Sequence, residues 1–278
     1  MTAVIPLPNR PTQSRRLRSA LMDGWTIVRR DIAHLRYTPS ELAAELIFAA
    51  VMVVLFGFVF GSAIKIPGGA NYRAYLMPGL FAFSQVTAIG VIALATADDA
   101  ATGVMDRFRS MPIARSAVPF GRTGASLATG ILNLTVLSIA GLIVGWRANR
   151  GLLDAAAAFG LLLLTRYALS WLGAYLGLLV KNPTTADNLV PLSFPIAMLS
   201  NTFVPTGDLP LWLRYIAEWN PVSCLVGACR ELFGNPGAAS QHTSWALEHP
   251  VVATLVWAIL LICVFAPLAT RRYSKAHL

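Results

Sequence analysis

Residues Leu152–Val180 read LLDAAAAFGLLLLTRYALSWLGAYLGLLV, 29 residues with two charges, Asp154 near the start and Arg166 near the middle. A helix rises about 1.5 Å per residue, so roughly 20 such residues cross the hydrocarbon core of a bilayer. A helix apolar on every side over this length is made for the interior of a bundle or for lipid. The rest of the chain agrees. Of its 278 residues, 56% are hydrophobic and 13% are charged, against about 25% charged in an ordinary soluble domain. So few charged side chains do not wrap a globule of this size, which excludes a water-soluble globular enzyme. A net charge of +9 points to nucleic acid in a soluble chain. In a membrane protein it reads instead as Arg-rich cytoplasmic segments, with no nucleic-acid partner. Cys224, Cys229 and Cys263 make neither a disulfide framework nor a metal-ligand spacing.

Working outward, six stretches have spanning length and character: Leu42–Gly61, Tyr75–Ala97, Thr123–Trp146, Leu152–Val180, Asn188–Val204 and Val251–Ala269. The expected fold is an all-α integral membrane protein with six transmembrane helices. The fifth is short, and Pro191 and Pro195 should kink it. The first begins some 40 residues in, is too long for a signal-peptide core and precedes no small-residue cleavage site, so it reads as a retained helix. An even count puts both termini on one side. The terminal segments and the loops on that side hold fifteen Arg and Lys, and the opposite loops hold six, which places both termini in the cytoplasm. Nineteen Arg against three Lys, with abundant Ala, fit a GC-rich bacterial genome and hence a bacterial plasma membrane.

Three parts follow: a cytoplasmic segment over 1–40, a six-span domain over 41–270 and a cytoplasmic tail over 271–278. Within the first, Leu17, Leu21, Trp25, Val28, Ile32 and Leu35 line one face of a helix, with Arg18, Arg29, Arg30 and Arg36 mostly elsewhere. Such a helix suits the anionic headgroup layer, or packs on the protein's own cytoplasmic surface. The cytoplasmic loop 98–122 mixes Asp and Arg with Met105, Phe108, Met111 and Ile113. That pattern is either a small docking surface or a solvated loop obeying the charge rule. In the external segment 205–249, two short helices are predicted, one after Pro210 and one after Pro221, too apolar for water and too short to span. They read as re-entrant or interfacial helices over the external mouth. Arg214 and Glu218 stand four apart and pair across one turn, worth a few tenths of a kcal/mol, about 0.3, if exposed.

No energy source is written into the chain. Its three lysines precede Ile66, Asn182 and Ala276, so no Gly-Lys-Ser/Thr loop cradles a phosphate. Its four histidines form no His-Glu-x-x-His helix. Asp98-Asp99 ends the second span with no third Asp within five residues, which favours a polar helix terminus over a metal site. Glu45 lies one turn into the first span, and no span centre holds the acid that a proton-coupled carrier titrates. Arg166 is the deep charge, 12 residues past Asp154, or about 18 Å. It needs protein or a wet cavity around it. It serves either a structural pairing with a carboxylate or backbone carbonyls, or contact with a polar or anionic substrate. Gln85, Asn133, Tyr167, Ser170, Tyr175, Ser193, Ser200 and Asn201 are the polar groups that would line the same pathway. No catalytic residue and no metal ligand is nominated.

A family resemblance then enters. Arg107-Phe108-Arg109-Ser110-Met111-Pro112-Ile113, with Arg115-Ser116 and Gly121-Arg122, resembles the cytoplasmic signature of type-2 ABC exporter permeases. It is most similar to the daunorubicin-resistance group of actinobacteria, where Leu is usual at the place of Met111. Leu178-Leu179-Val180-Lys181-Asn182-Pro183 resembles the end of that family's fourth span. Phe203-Val204-Pro205, Leu209-Pro210-Leu211-Trp212-Leu213 and Trp219-Asn220-Pro221-Val222 resemble its external segment. The resemblance implies a six-helix permease working as a homodimer or with a related permease, bound to two copies of a separate ATP-binding cassette subunit that supplies ATP and Mg2+. It implies that Met105, Asp106, Arg107, Phe108, Arg109, Met111, Pro112 and Arg115 couple to that subunit. It also implies that Phe203, Pro205, Trp212, Trp219, Asn220 and Pro221 cover the external exit. The cargo expected is a drug, a lipid or a lipid-linked metabolite. An ion-coupled secondary transporter and an integral membrane lipid-modifying enzyme are the alternatives from other classes.

Overall fold

A computed structural model describes residues 39–60, 71–105, 117–180, 182–203, 209–235 and 244–275. The predicted amphipathic helix over 17–37 lies outside them. All regular elements among the described residues are helices. In chain order they are α1 (Pro39–Val54), continued by a π-helical turn over Leu55–Phe60, then α2 (Tyr72–Val86), α3 (Ala88–Ala101) and α4 (Ala117–Val144). There follow α5 (Leu152–Val180), α6 (Pro183–Asp187), α7 (Leu189–Met198), α8 (Leu211–Trp219), α9 (Pro221–Phe233), α10 (Trp245–Glu248) and α11 (Pro250–Lys275).

Among the described residues, four helices are long and apolar enough to cross a bilayer: Tyr72–Ala101, in which α2 and α3 meet at Thr87, Val118–Val144, Leu152–Val180 and Pro250–Tyr273. They answer to the second, third, fourth and sixth predicted spans. Of the other two, the first lies along α1 and its π-helical continuation, and the fifth comes out shorter than expected. The first holds the apolar helical run Leu46–Phe58. The fifth is divided at Asn188, and α7 ends at Met198 before the turn over 199–203. Pro195, inside α7, has no N–H to give its helix.

Helix α5 is the centre of the bundle, packed on α3 and α4, and on α9 and α11. Without water there is little hydrophobic drive between membrane helices, so close backbone approach and dispersion have to hold them. Gly173 and Gly177, four apart on α5, face the carbonyls of Ile89 and Ala93 on α3, with no room for a Cβ at either. Gly79 on α2 does the same against the turn after α7, where an added Cβ would stand 2.6 Å from the Thr202 carbonyl oxygen.

The two short helices predicted after Pro210 and Pro221 are present as α8 and α9. Asn220 ends one and caps the other. Its side-chain oxygen accepts from Val222 N at 2.9 Å, and Pro221 takes the first helical position. Helix α9 lies inside the bundle rather than across its top, packed on α2, α5 and α11. It closes on Gly234, whose positive φ of 65° allows Asn235 N to reach Arg230 O at 2.9 Å. Phe233 then stacks edge-on with Trp146 at 5.1 Å and with Phe159 at 5.3 Å.

Candidate functional site

Helices α1, α2 and α4 enclose a partly open pocket. Phe48, Ala49 and Met52 form one wall, Leu80 and Phe83 the second, and Leu137 the third. Its polar groups are Ser84, Thr87 and Asn133. The Ser84 and Thr87 hydroxyls both donate back to their own helix, to Phe81 O and Ser84 O at 2.8 Å. The space is thus apolar with a thin polar floor, the chemistry of a site for a greasy molecule with few hydrogen-bonding groups.

Behind that floor stands Arg166, 2% exposed. Its guanidinium joins three helices. Nε donates to Ser126 O at 2.6 Å and to Ser126 Oγ at 3.1 Å, Nη1 to Ser84 O at 3.3 Å, and Nη2 to Thr129 Oγ1 at 2.8 Å. Ser170, one turn on, donates to Ser126 Oγ at 3.0 Å and to Arg166 O at 2.8 Å. Five N–H donors in a planar fork suit this distribution better than an ammonium would. Gly130 gives the guanidinium its room, because a Cβ there would meet Arg166 Cδ and Nε. The same Cβ would lie 3.4 Å from Gln85 Oε1. That buried oxygen accepts no hydrogen bond among the described residues, while Gln85 Nε2 donates to Phe81 O and Ser84 Oγ. Of the two roles weighed for Arg166, backbone and hydroxyl acceptors fill the structural one.

A second polar knot lies under α9. Arg230, 2% exposed, donates from Nε to Tyr75 O at 3.1 Å and from Nη2 to Asn201 O at 2.9 Å and Thr202 O at 3.3 Å. Tyr75 OH donates to Asn201 O at 3.0 Å, and Asn201 N to Ser223 Oγ at 3.1 Å. Trp146 Nε1 donates to Asn235 Oδ1 at 2.8 Å and Asn149 N to Phe233 O at 2.7 Å, so the hairpin between α4 and α5 grips the end of α9.

The sequence-nominated residues therefore fall into separate groups. Gln85, Arg166 and Ser170 share the first knot, with Asn133 on the adjoining pocket wall. Ser200 and Asn201 belong to the second. Tyr167 and Tyr175 pack against a separate cluster around Trp171. Ser193 lies in α7, with its side chain outside the description. Phe203 is buried, 4.6 Å between ring centroids from Phe56. Asn220 Nδ2 holds Ile196 O and Leu199 O at 3.1 and 3.0 Å. Trp212 and Trp219 expose their rings on α8. Met105 is buried just after α3, where the stretch leading to α4 begins. Asp106, Arg107, Phe108, Arg109, Met111, Pro112, Arg115 and Pro205 lie outside the described residues.

Two premises of the sequence reading change. The Arg214–Glu218 pair is not an exposed one. Its Nε–Oε1 distance is 2.7 Å, the Glu218 side chain is 4% exposed, and Oε2 also accepts from Ser244 N at 3.1 Å. Asp99, read as part of a polar helix terminus rather than a metal site, keeps that reading and is ion-paired with Arg122. Arg230 was counted among external loop charges. Its position four residues after Val226 and three before Phe233 places it on the apolar face of its helix, the signal that would have found it.

The chain is similar in sequence to known proteins. Residues 23–233 match the family model described as ABC-2 type transporter. The daunorubicin resistance ABC transporter permease protein DrrB1 of Streptomyces coeruleorubidus is 26% identical, over 100% of this chain and 93% of its own length. The doxorubicin resistance ABC transporter permease protein DrrB of Mycobacterium tuberculosis is 28% identical, over 91% and 89%. A putative transport permease, ycf38, of Porphyra purpurea is 23% identical over 77% of this chain and 72% of its own. The resemblance carried by Arg107–Ile113 is thereby borne out. With apolar helices of spanning length and this match across most of its residues, the chain is a multi-pass membrane protein of the ABC-2 type transporter permease family.

Proposed function

We propose that this chain is the membrane subunit of an ATP-driven exporter that moves a hydrophobic or amphipathic compound out across the plasma membrane. The observation that carries the reading is the match, over nine-tenths or more of the chain, to permeases named for resistance to daunorubicin and doxorubicin. The pocket between α1, α2 and α4 supports it. An apolar hollow with Ser84, Thr87 and Asn133 as its polar groups, backed by Gln85 and Arg166, suits an amphiphile.

Energy comes from a separate ATP-binding cassette subunit in two copies, since no lysine of this chain sits in a phosphate loop. When bound there, ATP and Mg2+ supply the free energy of closure; this chain's part is to bind cargo, exclude water and move. The segment from Met105 to Arg115 docks that subunit through Phe108 and Met111. A second permease copy completes the path, with lipid around it. Phe203, Trp212, Trp219 and Asn220 stand at the external exit. The fifteen-to-six bias in basic residues sets both termini in the cytoplasm, and the apolar segments of α1 and α6–α7 count as the first and fifth crossings.

Replacing Phe108 and Met111 with Asp tests the docking. The variant is expected to stay in the membrane, lose most of its co-purifying ATPase and stop exporting doxorubicin. Unchanged retention of the ATPase together with unchanged export would overturn the assignment.

A further inference from the structure

The roots of the cytoplasmic loop are held by two independent contacts. Asp99, near the end of α3, is ion-paired with Arg122, in the second turn of α4, and the two side chains are 15% and 14% exposed. A pair so far withdrawn from water is screened much less than a surface one. Met105, just beyond α3, and Val118, at the start of α4, are both buried in one cluster with Trp171 of α5 and Tyr273 of α11. Trp171 is wholly buried, and the ring of Phe120 meets it edge-on at 4.9 Å. Just before Trp171 on α5, Ser170 and Arg166 tie that helix to Ser126 on α4 and Ser84 on α2. The loop is therefore anchored to its own two helices by charge and to α5 and α11 by packing.

Flexible roots would absorb a displacement, whereas a paired and buried root passes it on, because packed interiors switch between arrangements rather than deform smoothly. We propose that Asp99 and Arg122 are positioning residues whose ion pair, seated on the Trp171–Tyr273 cluster, makes α3 and α4 move as one body with α5 and α11 when the loop is pushed. The proposal rests on the exporter reading above, with an ATPase docked on the loop.

The test uses the full chain co-expressed with its ATPase and reconstituted in liposomes, with doxorubicin followed by its own fluorescence. The variants are Asp99→Asn, Arg122→Gln, the exchanged pair Asp99→Arg with Arg122→Asp, and Asp98→Asn as an exposed neighbour outside the pair. The single variants are expected to retain the ATPase and hydrolyse ATP while transport per ATP falls about fivefold or more, the scale of a site-to-site coupling energy. The exchanged pair is expected to return to within about twofold of wild type, since opposite charges again face each other, and Asp98→Asn is expected to match wild type. A general loss of folding would lower ATPase retention and transport together and would not be rescued by the exchange. Single variants with wild-type transport per ATP, or an exchanged pair as poor as either single, would overturn the proposal. Failure of the exporter reading looks different: the wild-type chain itself retains no ATPase, and the proposal falls with it.

Discussion

The guanidinium carbon of Arg230 lies 3.6 Å from the centroid of the Tyr75 ring, and its Nε donates to the carbonyl of that same tyrosine. One cation thus covers a π face on α2 and, through Nη2, holds the turn that follows α7. A short helix of 13 residues is locked into the bundle by this contact in its last turn and by the Trp146–Asn149 hairpin at its end.

Arg230→Lys is expected to lower thermal stability in detergent, because an ammonium does not serve three carbonyls and a ring at once. A loss of about 2 kcal/mol is expected, the scale of a desolvated cation–π contact. Arg230→Ala should cost more. It leaves the carbonyl oxygens of Asn201 and Thr202 with fewer partners, at about 1–3 kcal/mol for an abandoned buried group. A Lys variant as stable as wild type would show that the fork geometry is immaterial.

Gly130→Ala is expected to destabilise the wild-type chain by about 1–3 kcal/mol, as overpacking does. The added methyl presses on the stem of Arg166. In an Arg166→Ala background the same change should be nearly neutral. The double-mutant cycle reads this coupling directly, and equal costs in both backgrounds would contradict the packing described.

Glu218→Ala strands Arg214 and the Ser244 amide and is expected to cost about 1–3 kcal/mol in thermal unfolding. Arg214→Ala combined with Glu218→Ala should cost less than the two single losses added together, since no charge is then left unpartnered. Strict additivity would mean that the pair behaves as an exposed one.

Ala49→Phe fills the pocket between α1, α2 and α4 from α1. Export of doxorubicin is expected to fall about tenfold, a 1.4 kcal/mol change in binding, while ATPase retention is unchanged. Asn133→Leu, which removes the polar floor but keeps the volume, should weaken export of polar-headed cargo more than of purely apolar cargo. Transport by Ala49→Phe equal to wild type would move the cargo site elsewhere.

Much of this molecule was legible from its residues. Length and hydropathy alone set the ends of α5 at Leu152 and Val180, where the structure has them. Asn220-Pro221 marked the break between α8 and α9, because Asn caps and Pro opens a helix. What hydropathy cannot show is depth. Helix α9 is amphipathic enough to read as an external cover, yet it is buried because Gly234, Asn235 and the hairpin before α5 receive its end. Arg73 reads as an external positive charge, but it donates to Gly57 O and Val144 O at 3.2 and 3.3 Å. It is a cap for two helix ends rather than a solvated charge. The partners of Arg166 were equally hidden, because apolarity on every side leaves no stripe from which to read a helix's rotation.

The most direct measurement is doxorubicin accumulation in inverted membrane vesicles holding this chain and its partner ATPase, with ATP, without ATP, and with the ATPase's phosphate-loop lysine replaced. Accumulation only in the first condition is the predicted result. Equal accumulation in all three, driven by an ion gradient or by nothing, would contradict an externally powered permease.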